Sequence, residues 1–154
     1  VYAGCFDTVS VCFSKGLGAP VGSILAGSPD VIAKARFFRK QQGGAMRQAG
    51  ILAAAAAHAL EHNRARLTDD HTNCRALANG LATLHGLEVD AEGVETNMLF
   101  IGTGERDAAT LVKRLDELGI RLLAIGQHTL RAVTNLTVTT EEIAQVITAF
   151  EESL

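Results

Sequence analysis

Residues 16–22, GLGAPVG, hold three glycines and a proline within seven positions. That composition excludes a helix and requires a tight loop. Before it, Thr8 to Phe13 (TVSVCF) is β-branched and apolar without polar alternation, the pattern expected of a strand covered on both faces. After it, SILAG begins a second short strand. Lys15 stands where the first strand gives way to the loop. A lysine is ordinarily placed where its ammonium reaches water, so one against a covered strand and a glycine turn is unusual. Burial would favour the neutral, nucleophilic amine, which can form an imine with an aldehyde. The alternative is a solvated loop lysine, and these residues alone leave both open.

The remaining pattern is α/β. Ser28-Pro29-Asp30 reads as a helix start, with Ser28 as N-cap and proline at the first helical position, and the helix is expected to reach about Lys40. Gly43 and Gly44 interrupt it, and Met46 to His62 forms an alanine-rich helix. Asn63 or Thr68 is expected to cap a third helix ending near His85. From Gly86 a second α/β layer follows: LEVD, TNMLFIG, a helix from about Asp107 to Leu118, IRLLAI, LRAVTNLTV and a last helix over Thr140 to Glu152. Thr139 and Glu142 have the spacing of a reciprocal cap for that last helix.

A formal net charge of -3 speaks against the phosphate backbone of nucleic acid as the main partner. No apolar stretch reaches the roughly 20 residues that cross a bilayer, and no signal-peptide pattern opens the chain. Cys5, Cys12 and Cys74 are odd in number and lack CxxC spacing, which fits a reducing, cytoplasmic setting. His58 and His62 in HALEH could share a metal ion one helical turn apart. Two ligands without a third make no site, and no metal is expected. His71, His85 and His128 stand alone, the last only three residues before Arg131.

Taken together, TVSVCFSKGLGAPVGSILAG, FRKQQGGAMRQAGILAAA, VETNMLFI and LRAVTNLTVT resemble, in order, the low-specificity L-threonine aldolases. These are pyridoxal-phosphate enzymes of the aspartate-aminotransferase fold, and the resemblance covers nearly the whole chain. It implies that residues 1–62 are the C-terminal part of the large cofactor domain and residues 63–154 the small C-terminal α/β domain with its linking helix.

The resemblance further implies that Lys15 joins the cofactor aldehyde as a Schiff base and that Arg131 grips the substrate α-carboxylate. Lys40 and Arg47 then lie near the cofactor phosphate, in part across a subunit interface, which implies a homodimer or homotetramer. Arg36 and Arg39 are expected to be solvated. The implied reaction is aldol cleavage of L-threonine or L-allo-threonine, a small β-hydroxy-α-amino acid, to glycine and acetaldehyde. A β-eliminating lyase, a transaminase and a non-catalytic remnant are the alternatives.

Three positions depart from the family pattern: Ala45 stands for a third glycine, Asn135 for a histidine and Thr137 for an aspartate. The chain also opens on Val1 rather than Met, and the family's phosphate loop, stacking histidine, ring-nitrogen aspartate and second arginine match nothing in it. It is therefore expected to be the C-terminal part of a longer enzyme and not competent alone.

Overall fold

Strand, turn and strand occupy the expected places around the lysine. In the computed structural model, which describes residues 2–154, β1 (Thr8–Cys12) pairs antiparallel with β2 (Ser23–Gly27), in register from Thr8↔Gly27 to Cys12↔Ser23. One expectation is corrected. Every position of both strands is exposed or half-buried, so the cover that the apolar run calls for is not supplied by residues 2–154.

Two α-helices and a short 3-10 helix (Tyr2–Cys5) are the other described elements of this first unit, Val1–Ala65. Helix α1 (Pro29–Gln41) starts as expected, with Ser28 extended at the N-cap position, although its hydroxyl makes no cap bond. Helix α2 (Gly50–His62) begins later than Met46. Gln48 takes a left-handed backbone (φ 54) and residues 47–49 form a turn, which delays the helix.

The second unit, Arg66–Leu154, has a core of its own. Helix α3 (Leu67–Leu81) is followed by β3 (Met98–Gly102), α4 (Ala108–Glu117), β4 (Leu123–Gly126), β5 (Thr129–Val133) and α5 (Thr140–Ser153). Neither Asn63 nor Thr68 caps α3. Arg66 holds the N-cap position without a side-chain cap bond, and the helix ends at Leu81 rather than His85. LEVD contributes one bridge, Glu88↔Gly102, instead of a strand.

The three strands form an antiparallel sheet in the order β3-β5-β4. Alternation puts Leu99, Ile101, Leu130 and Ala132 on one face, fully buried in the cluster with Leu81, Leu115 and Phe150 of α3, α4 and α5. Met98, Phe100, Leu123, Ile125 and Val133 remain exposed, and Arg131 half-buried.

Side chains satisfy both ends of α5 and the start of α4. The cap of α5 forms as expected: Glu142 N–H donates to Thr139 Oγ1 at 3.3 Å and Thr139 N–H to Glu142 Oε2 at 2.7 Å. At its other end Arg106 donates to the Leu154 carbonyl and Arg114 to that of Ser153, each at 3.2 Å, cations at the negative end of the helix. For α4 the cap is Asp107, whose carboxylate accepts from both N–H and hydroxyl of Thr110 at 2.8 Å.

A buried polar network joins α3 to the sheet. Asp70 is fully buried and pairs with Arg66 at 2.6 Å. Its backbone carbonyl accepts from the Thr134 hydroxyl at 2.6 Å, and Thr134 and Asn97 exchange hydrogen bonds between the ends of β5 and β3. Asn73 reaches the Val138 carbonyl and accepts from Thr140.

Removing one partner of a buried ion pair costs about 3 to 5 kcal/mol when the other stays buried. Arg66 is partly exposed, so Asp70→Ala is expected to cost about 3 kcal/mol, seen as a lower unfolding midpoint, with Asp70→Asn losing less. Hydrogen bonds from the Thr110 side chain and backbone hold the Asp107 carboxyl below the usual carboxylate range. A pKa depressed on folding contributes stability above the unfolded value, which is lost as pH falls through the folded one. Unfolding midpoints recorded across the acid range should therefore fall less steeply in Asp107→Asn than in the parent.

Candidate functional site

Three backbone hydrogen bonds close the loop that carries Lys15. Phe13 N–H donates to the Gly22 carbonyl at 2.9 Å, Ala19 N–H to that of Phe13 at 2.9 Å, and Gly18 N–H to that of Lys15 at 2.8 Å. Gly18 (φ 72) and Gly22 (φ 115) take left-handed conformations that let the chain turn twice in so short a span. Phe13, Leu17 and Ala19 are buried beneath, and Lys15 projects outward, exposed. Of the two placements the sequence left open for this lysine, the described residues show the exposed one.

Asn63, expected as a helix cap, instead donates from its side chain to the Leu17 carbonyl at 2.8 Å. The end of α2 is thereby tied to the lysine turn. Beside Lys15, the Cys12 thiol lies 3.2 Å from the Ser14 hydroxyl. Hydrogen bonds to Ser14 are the main cause that draws this thiol below its ordinary value.

Lys40 lies in the last turn of α1 and Arg47 in the turn before α2, on either side of Gly43 and Gly44. Both side chains are exposed, and neither forms an ion pair among the described residues. The left-handed glycine of this turn is Gly43 (φ 75), and Ala45 is not among the residues of positive φ. Its Cβ therefore brings no backbone strain. Arg36 and Arg39 are exposed, as expected.

Arg131 occupies the middle of β5, the central strand of the second unit. Its register partners are Phe100 on β3 and Leu123 on β4. Nε of Arg131 is buried without a hydrogen-bond partner among the described residues. Just beyond the strand, Asn135 Oδ1 accepts from the N–H of Thr137 at 3.0 Å and from its hydroxyl at 2.8 Å. The two departures from the family pattern thus build a local turn with each other.

His128 lies in the β4–β5 turn, where its Nδ1 meets the Arg106 carbonyl at 3.0 Å and its own carbonyl accepts from Thr103. It is a pin of the loop. His58 and His62 are exposed with ring centroids 4.2 Å apart, and no group of three metal-ligating side chains occurs among the described residues.

Sequence reasoning missed Asp70, the Asn63 tether and the partners of Arg131. Asp70 had a signal, since it continues the buried stripe of Asn73, Cys74, Leu77, Ala78 and Leu81 at helical spacing. The other two depend on pairings that a single chain does not spell out.

Residues 1–103 match the family model for beta-eliminating lyases. Low-specificity L-threonine aldolase 1 of Arabidopsis thaliana is 41% identical over 151 residues, 96% of this chain and 42% of the relative. The low specificity L-threonine aldolase of Escherichia coli O157:H7 is 43% identical over 140 residues, 91% of this chain and 40% of the relative. The chain thus spans about two fifths of the length of these curated relatives. A solved structure of a proposed L-allo-threonine aldolase from Listeria monocytogenes superposes with a TM-score of 0.79 at 22% identity, over 98% of this chain and 45% of that one. The fold is that of the fold-type I pyridoxal-phosphate enzymes.

The Asn63 tether can be tested directly. Asn63→Ala leaves the Leu17 carbonyl without its donor and is expected to cost about 1 kcal/mol. The midpoint of denaturant unfolding should fall accordingly, while far-UV circular dichroism stays unchanged.

Proposed function

The chain belongs to the beta-eliminating lyase family, and within it we propose that this protein serves pyridoxal-phosphate-dependent aldol cleavage of L-threonine or L-allo-threonine to glycine and acetaldehyde. The identity of 41% to a low-specificity L-threonine aldolase across nearly the whole chain is the observation that carries this reading. The local geometry supports it. Lys15 offers an amine free of ion pairs among the described residues, on a turn fixed by its own backbone. Arg131 offers a guanidinium on the open face of a sheet.

In this reading Lys15 holds the cofactor covalently through its amine, and Lys40 and Arg47 contribute positive charge for its phosphate. The cofactor, when bound, supplies a sink for the electron pair released as the Cα–Cβ bond breaks. Arg131 takes the substrate carboxylate in its planar fork. By fixing that carboxylate it fixes which bond at Cα is aligned for cleavage. The β-hydroxyl proton leaves with formation of the aldehyde carbonyl, and Cα takes up a proton to give glycine.

The domain reading is part of the same proposal: residues 1–62 close the cofactor domain and residues 63–154 form the small domain. A homodimer or homotetramer is the expected assembly and the cytoplasm the expected setting, the latter supported by three unpaired cysteines that fit a reducing compartment.

Product analysis on the full-length protein with threonine tests the reaction. Glycine and acetaldehyde in equal amounts are expected; a 2-keto acid with ammonia would place the protein among β-eliminating enzymes instead. Lys15→Ala should abolish turnover and the visible absorbance of the loaded protein. Arg131→Ala should raise KM for threonine by about 100-fold, the scale of a lost charge-assisted bidentate contact. An unchanged KM in that variant would remove Arg131 from the site.

A further inference from the structure

Around Arg131 the sheet provides more than a place to stand. Because β5 is the central strand, Arg131 has a directly opposite neighbour on each side, Phe100 on β3 and Leu123 on β4. Directly opposed residues in antiparallel strands have Cβ atoms about 5 Å apart, within reach of one another's side chains. Phe100 is 53% exposed and Leu123 50% exposed, and both lie on the face opposite the core with Arg131. They spend large apolar side chains where they bury little against the interior of their own unit.

The arginine between them is covered unevenly. Its side chain is only half-buried, yet its Nε is fully buried and has no hydrogen-bond partner among the described residues. A guanidinium can meet a carboxylate through its side, using Nε and one Nη, or through its end, using both Nη groups. With Nε covered, the side is closed and the end remains.

We propose that Phe100 and Leu123 are positioning residues that clamp the stem of Arg131, so that the guanidinium presents its two Nη groups end-on to a substrate α-carboxylate. This rests on the reading of Arg131 as the carboxylate group of the site. It adds two residues to that site and one mode of recognition. A carboxylate bound this way lies beyond the tip of Arg131, with the clamp limiting how far the fork can swing.

The test is a double-mutant cycle in the full-length, cofactor-loaded protein, with glycine affinity measured by calorimetry and threonine KM and kcat in parallel. Phe100→Ala and Leu123→Ala are each expected to weaken glycine binding and raise KM by about five- to tenfold, within the range for directly coupled neighbours, with kcat changed less than twofold. Phe100→Tyr, which keeps the ring, should retain the parent affinity. Arg131→Lys removes the fork, so adding Phe100→Ala to it should cost no further affinity. Unfolding midpoints of the single variants should stay within about 2 °C of the parent, as for exposed positions.

Full parent affinity in both Phe100→Ala and Leu123→Ala, beside a weakened Arg131→Lys, would overturn the clamp and leave the role of Arg131 standing. Additive losses in the cycle would equally overturn it, since the flanks would then act independently of the arginine. Parent affinity in Arg131→Lys would overturn both the clamp and the carboxylate reading beneath it.

Discussion

Everything in the second unit turns on the alternation of its central strand. Leu130 and Ala132 are buried in the common core, and Arg131 between them faces away. A slip of one residue would drive a guanidinium into that core and expose both neighbours, so packing against α3, α4 and α5 fixes the register and with it the position of the arginine. The same packing presents the exposed apolar residues of β3 and β4 beside it. Stability and the proposed chemistry therefore draw on opposite faces of one sheet.

A second, smaller constraint governs the lysine. Three backbone hydrogen bonds and two left-handed glycines close the loop after β1, and Asn63 adds a donor from the end of α2. None of these uses the Lys15 side chain. The turn is held by these bonds while the amine is left uncommitted among the described residues, the arrangement that a covalently held group requires.

Much of this was legible in the sequence because its signals are local. Glycine and proline announced the turn, and Thr139 and Glu142 the cap of α5. The start of α2 was misread because alanine propensity says nothing about Gln48 adopting a left-handed backbone. The cover of β1 was misread for a different reason. TVSVC has the composition of a strand covered on both sides, but cover is a property of what packs against a strand, and among the described residues that cover is absent. Partners of Arg131 likewise follow from strand order, since β3 and β4 both lie beside β5 only once the sheet is assembled.

The account stands or falls on the amine at residue 15. Incubation of the full-length protein with pyridoxal phosphate, reduction with borohydride and mapping by mass spectrometry would locate the modified residue. The account predicts a pyridoxyl group on the peptide carrying Lys15 and on no other lysine. Modification elsewhere, or none at all, would contradict it.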